Sequence, residues 1–218
     1  MRRILLAILA LFTLSLSATA QGTVPAASPD QSAAPANRTG FFIGFDPMVY
    51  ASLTSDVITA GKTNGGTGVS LRFGWGFNER LALVMDVPVT DLVVSDSADF
   101  LLSHGDIALM YFPTALTLWG RPLVPFVQVG GGFRDIESTL YAGGAPQIYA
   151  FASEVFSVGI GARYYVERRW AISLQGWWSS GEFNDERIGN TTTHNRHVMA
   201  TSSRIQAGLE WHRGRKPR

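Results

Sequence analysis

Cysteine is absent from the 218 residues. That excludes a disulfide framework, a Cys-ligated zinc and a thiol nucleophile. Lysine is nearly absent too: of 18 basic residues, only Lys62 and Lys216 are lysines. Charged residues amount to 16%, against about 25% in a typical soluble domain. A wetted surface uses lysine and glutamate freely, so this scarcity points to a surface that mostly avoids water. Disorder is excluded by a hydrophobic share of 46%. Beyond the first segment no run reaches the roughly 18 continuous apolar residues of a membrane-spanning helix.

The first segment reads as an address. Arg2 and Arg3 precede an apolar run from Ile4 to about Leu16, and Ala18-Thr19-Ala20 supplies the small residues of a cleavage site. The run is shorter than the ~20 residues that span a bilayer, so it reads as a secretory signal (1–20) cleaved after Ala20. Losing Arg2 and Arg3 takes the formal net charge from +1 to −1. A near-neutral chain lacks the basic footprint of a nucleic-acid binder. Residues 21–39, rich in Ala, Pro and Ser, read as a flexible extension.

From Gly40 to His212 the hydrophobic period is two. In 69–77, Val69, Leu71, Phe73, Trp75 and Phe77 share one face, and Ser70, Arg72, Gly74 and Gly76 share the other. Successive side chains of a strand point to opposite faces, so this is a strand with one greasy face. The same parity recurs in 81–87, 106–112, 125–134, 156–165, 170–177 and 204–211. A first strand near 41–50 is less clean, because Phe42 and Met48 break the small-residue face. These are eight strands. The gaps at 78–80 and 167–169 are short and that at 113–121 is moderate. Those at 51–67, 90–104, 135–153 and 180–198 read as long loops. Short turns at one end and long loops at the other describe an antiparallel up-and-down barrel of the membrane type.

Alternation alone does not say which face is outside. A lipocalin-like soluble barrel is greasy within and a membrane barrel is greasy without. The polar face here holds small residues and charges of both signs: Arg72, Asp86, Asp106, Gln128, Arg134, Arg163, Gln175, Arg204, Gln206 and Glu210. Buried charges need partners, and this mixture supplies them, so these ten are read as a network inside the barrel. Trp75, Phe77, Tyr111, Trp119, Tyr164, Trp170 and Trp211 gather near the short turns or the C-terminus. That is the placement of an interfacial aromatic girdle.

The segments GTGVSLRFGWGF, RPLVPFVQVGGGFRD, FSVGIGARYYV and SRIQAGLEW give the chain a resemblance, over about 40–212, to outer-membrane β-barrels of the OmpA transmembrane-domain type. The resemblance implies eight strands, termini and short turns in the periplasm, long external loops and a polar packed interior. It also implies location in the outer membrane of a Gram-negative bacterium. The implied partners are outer-membrane lipid, lipopolysaccharide and the outer-membrane insertion machinery. Members of the family commonly end on an aromatic residue; here Trp211 is followed by the basic tail HRGRKPR. No peptidoglycan-binding domain is seen after the barrel, so an anchoring role is not expected. Pro47, Pro88 and Pro125 fall inside strands of a closed sheet and lack an N–H, so bulges or local irregularities are expected there.

Chemistry-bearing residues are few. Ser103-His104-Gly105-Asp106 has the residue types of a triad, but neighbours in a strand face opposite ways. His194 and His197, near Asp185 and Glu186, are a weak metal-ligand set that a polar loop tip explains equally well. Gly65-Gly66, Gly130–Gly132 and Gly143-Gly144 lack the Gly-Lys-Ser/Thr of a phosphate loop. No cofactor is implied. The leading reading is a non-enzymatic outer-membrane barrel serving envelope structure, surface-loop interaction or minor, porin-like solute passage. The alternatives are a lipid A-modifying outer-membrane enzyme, using His197 with Ser202 or Ser203, and a soluble periplasmic lipocalin-like binding barrel.

Overall fold

The computed structural model describes residues 38–56, 62–95, 98–142, 145–188 and 191–213. The signal, most of the Ala/Pro/Ser-rich extension and the end of the basic tail lie outside the described residues.

One antiparallel sheet contains β1 (Gly40–Ser55), β2 (Thr63–Gly76), β3 (Leu81–Ser95), β4 (Ala98–Tyr111), β5 (Leu116–Leu118), β6 (Arg121–Ala142), β7 (Ala145–Glu167), β8 (Trp170–Ile188) and β9 (Thr191–His212). Apart from β5, strands adjacent in sequence are adjacent in space. The ring closes through β1–β9 and β4–β6. The fold is therefore all-β, an eight-stranded antiparallel up-and-down barrel. Closure leaves no edge along the shared height of the wall.

The ninth strand, β5, was not legible in the sequence. It fills the place below β4 and pairs Leu116 with Leu123 and Leu118 with Arg121. Trp119 (φ 50°) and Gly120 (φ 72°) form the connecting turn. Two positive φ values match the twist of a two-residue hairpin. The 78–80 turn is held differently: the Asn78 side-chain oxygen accepts from the Arg80 N–H at 2.8 Å.

The expectation of long irregular loops is corrected. Most of 90–104, 135–153 and 180–198 is strand, since β3 runs to Ser95, β6 to Ala142 and β8 to Ile188. Of 51–67, residues 51–55 and 63–67 are strand. Alternation marks a strand only where its two faces meet different surroundings. Toward the tips both faces carry polar residues, so the pattern fades while the backbone ladder continues.

The wall is uneven. β1 to β4 have 16, 14, 15 and 14 residues, whereas β6 to β9 have 22, 23, 19 and 22. A tilted strand needs about 9–11 residues to cross a bilayer, so β6–β9 project well past one. Above Ser55↔Ala200, β9 has no β1 partner among the described residues. Above Leu101↔Glu137, β6 has no β4 partner among them.

The prolines behave unequally. At Pro47 the register of β1 shifts against both neighbours. At Pro88 the β3–β4 pairing lapses between Asp86 and Val89 without a shift. Pro125 stays in register with Ala162, and no bulge forms. It sits where β6 has left β4 at Val127↔Tyr111 and has yet to meet β5 at Leu123. Its missing N–H falls in a gap of the ladder.

The greasy face is outside. Leu71, Ile160 and Leu209 are 45–50% exposed, while Arg72, Arg163 and Arg204 are at most 3% exposed. A soluble barrel of the lipocalin kind requires the opposite arrangement.

Candidate functional site

Among the described residues the fold concentrates buried polar side chains in the lumen, which is organised in levels. At the end bearing the short turns (the turn end), Phe42, Met110, Phe112, Val124, Phe126 and Tyr165 belong to one apolar cluster. Gly74 makes room for it: a Cβ there would lie 2.0 Å from the Phe42 ring. The Arg163 guanidinium is embedded among these rings, 4.3 Å from the centre of Phe42, 5.1 Å from Phe112 and 5.6 Å from Phe126. Desolvated contacts of this kind are among the stronger cation–π interactions. His212 stacks on Phe42 at 5.3 Å.

Above the rings lies a charged level. Arg72 donates to Asp46 at 2.7 Å, to Ser173 at 3.2 Å and to Glu210. Glu210 also pairs with Arg163 at 2.7 Å. Arg204 donates to Asp106 at 2.6 Å and to Asp86 at 3.3 Å. Ser70 donates to Asp86 at 2.6 Å and Ser157 to Asp106 at 2.7 Å. Gln128 donates to Gln175 at 3.2 Å, and Gln175 in turn donates to Gln206.

Toward the hairpin tips (the tip end), Arg134 donates to Ser153 at 3.2 Å and Ser202 at 3.3 Å. It also donates to the Gly181 and Ala200 carbonyls, both at 3.3 Å. His104 stands 3.5 Å from Ser202 and 3.9 Å from Asp106. A second apolar cluster then spans the lumen: Leu53, Leu92, Leu102, Ile136, Phe151 and Phe183, with Tyr149 packed against it.

All ten polar residues selected from the sequence face the lumen, each at most 3% exposed. Asp46 was missed. Between the two apolar clusters it completes a set of four guanidiniums (Arg72, Arg134, Arg163, Arg204) and four carboxylates (Asp46, Asp86, Asp106, Glu210), while a fifth buried carboxylate, Glu186, accepts from the Tyr149 hydroxyl nearer the tips. The Pro47 bulge lies immediately after Asp46 and hid its parity. Phe42 broke the sequence alternation because it is itself part of the inner stopper. His104 and His212, both buried, were also absent from the selected network.

The seven selected aromatics lie at the turn end. Trp75, Phe77, Tyr111, Trp119 and Trp170 are 39–84% exposed, and Tyr164 and Trp211 are half-buried. Trp170 pairs with Trp211 across β8–β9, and Trp119 meets Tyr164 edge-on at 6.3 Å.

The residues weighed for catalysis are scattered. Ser202 points into the lumen beside Arg134, whereas Ser203 faces out and bonds Ser52 at 2.8 Å. His197 is exposed and bonds Glu182 at 3.2 Å. The His194 side chain lies outside the described residues, although its backbone pairs with Asp185. Among the described residues, no group of three or more His, Asp and Glu is placed to hold a metal.

Neither a protein-family model nor a curated protein sequence matches the chain. Solved structures do. Neisserial surface protein A matches with TM-score 0.52 at 18% identity, over 79% of this chain and 97% of that one. OprG of Pseudomonas aeruginosa gives TM-score 0.49 at 13% identity, over 81% and 97%. Ail, the attachment invasion locus protein of Yersinia pestis, gives 0.48 at 12% identity, over 81% and 100%. At these identities the likeness is one of fold. The chain has the fold of an eight-stranded outer-membrane β-barrel, with buried ion pairs in its lumen between two apolar clusters.

Proposed function

We propose that the protein is a non-enzymatic barrel of the Gram-negative outer membrane that serves as an envelope scaffold and presents its projecting hairpins to external partners. Within that class we read it as the OmpA transmembrane-domain type, on the segments quoted above. The export signal, delivery by the insertion machinery and contact with outer-membrane lipid and lipopolysaccharide belong to the same proposal. One observation carries it: seven buried charges of the lumen are joined in ion pairs, Arg134 is bonded to hydroxyls and carbonyls beside them, and an apolar cluster lies on either side. Such packing supports a wall rather than a channel, since eight strands leave an interior that side chains fill. The β6–β9 extension supports the display role. Its edges, unpaired on one side among the described residues, offer backbone groups to a partner strand.

The test is electrical. Purified barrel in planar bilayers gives no discrete conductance steps, while its band still shifts on gels between unboiled and boiled samples. Stable open-channel steps overturn the scaffold reading in favour of solute passage. Shortening the β6–β7 and β8–β9 tips keeps the gel shift and abolishes cell adhesion to a partner surface; unchanged adhesion removes the display role. Replacing His197 by Ala leaves lipid A unchanged by mass spectrometry, and an altered lipid A would restore the enzymatic alternative.

A further inference from the structure

The two rims of the barrel carry opposite charge. At the turn end Arg80, Arg121, Arg168, Arg169 and Arg213 are exposed, and Arg38 pairs with Glu79 at 3.1 Å. Glu167 is the other acid of that rim, so six arginines face two glutamates. At the tip end the balance reverses. Asp56, Asp91, Glu154 and Glu182 are exposed, and Lys62 and Arg187 are the exposed cations among the described side chains.

The turn-end arginines are not needed to hold their turns. The Arg80 carbonyl accepts from the Phe112 N–H at 2.9 Å and the Arg169 carbonyl from the His212 N–H at 2.8 Å. Those are backbone bonds. Among the described residues, the side chains of Arg80, Arg121, Arg168, Arg169 and Arg213 make no hydrogen bond or ion pair. They also adjoin the greasy exterior directly. Arg80 precedes Leu81, Arg169 precedes the exposed Trp170, and Arg121 pairs with the exposed Leu118. A guanidinium placed there reaches the phosphates at the edge of the hydrocarbon, and its planar fork fits a phosphate.

We propose that this rim binds anionic phospholipid headgroups, of the phosphatidylglycerol kind, in the leaflet where the turns emerge. The proposal rests on the membrane reading above. Each cation near an anionic bilayer contributes about a fivefold preference, and five unpaired arginines act together.

The full chain is folded into mixed vesicles in which either phosphatidylglycerol or phosphatidylcholine carries brominated acyl chains. Quenching of tryptophan fluorescence reports which lipid lies against the wall. At low salt, selectivity for phosphatidylglycerol is at least about fivefold. It falls to parity in about 1 M salt, where the screening length is about 3 Å. It also falls to parity in the R80Q/R121Q/R168Q/R169Q/R213Q variant. Equal quenching by the two lipids in the unaltered chain, or selectivity that survives in a folded variant, overturns the proposal. If the variant does not fold, the salt titration of the unaltered chain decides. Retention of the detergent-extracted chain on purified cell-wall sacculi, without lipid selectivity, overturns it in favour of a wall partner. A chain stripped from vesicles by alkaline carbonate defeats the membrane reading itself, a different outcome.

Discussion

Arg72 bridges two buried carboxylates, Asp46 and Glu210, and replacing it by methionine isolates what the network contributes. Methionine keeps much of the stem volume, so the change is chiefly electrostatic. In the native barrel Arg72 serves Asp46, Glu210 and Ser173 at once. Glu210 keeps a second partner in Arg163 at 2.7 Å. Asp46 keeps only the Ser173 hydroxyl at 3.5 Å. The loss therefore falls on Asp46, a fully buried carboxylate left without a cation. Breaking a buried pair in this way costs about 3–5 kcal/mol. Adding Asp46→Asn to Arg72→Met removes the stranded charge and recovers much of that loss, a coupling of about 1–3 kcal/mol. Urea titration of the barrel in vesicles, read by the folded and unfolded bands of unboiled gels, measures each value. If Arg72→Met costs less than about 1 kcal/mol, or if the two substitutions add simply, the argument that these charges sustain one another is wrong.

The same assay tests the two faces and the stopper. Leu71→Arg places a cation on the outward face of β2, and costs about 2–4 kcal/mol if that face meets hydrocarbon; a neutral effect would mean that it meets water. Gly74→Val forces a branched side chain against the Phe42 ring, where even a bare Cβ would come within 2.0 Å. A cost of about 1–3 kcal/mol follows from overpacking, together with altered near-ultraviolet dichroism from the displaced aromatics. Absence of both effects would place Phe42 elsewhere.

Much of the wall was legible in the residues because lipid and lumen are such different surroundings. Val69 to Phe77 shows the reason: every second residue is large and apolar, and every intervening one is small or charged. Signals failed where that contrast lapsed. Asp46 belonged to the network, but the extra residue at the Pro47 bulge broke the count just beyond it. Residues 135–153 looked like a loop because Asp135, Glu137 and Ser138 put polar groups on both faces, yet β6 and β7 stay paired through Ala142↔Ala145. The three residues of β5 are too few for any periodicity. His104 sat in a triad-like string whose neighbours invited a catalytic reading. Of its actual neighbours only Asp106 is in that string; Ser202 and Arg134 come from β9 and β6.

The inequality of the strands gives the molecule a front and a back. β7 exceeds β1 by seven residues (23 against 16), which at about 3.4 Å per residue and a 45° tilt raises one flank by roughly 17 Å. In the orientation proposed above, anything approaching from outside meets that flank first, while the low flank stays nearer the membrane surface. In a crowded membrane, two copies with high flanks together shade one another, and two with low flanks together leave both displayed. What such a surface offers to a phage, an antibody or a neighbouring cell is then governed by how the barrels are turned about the membrane normal, as well as by how many there are.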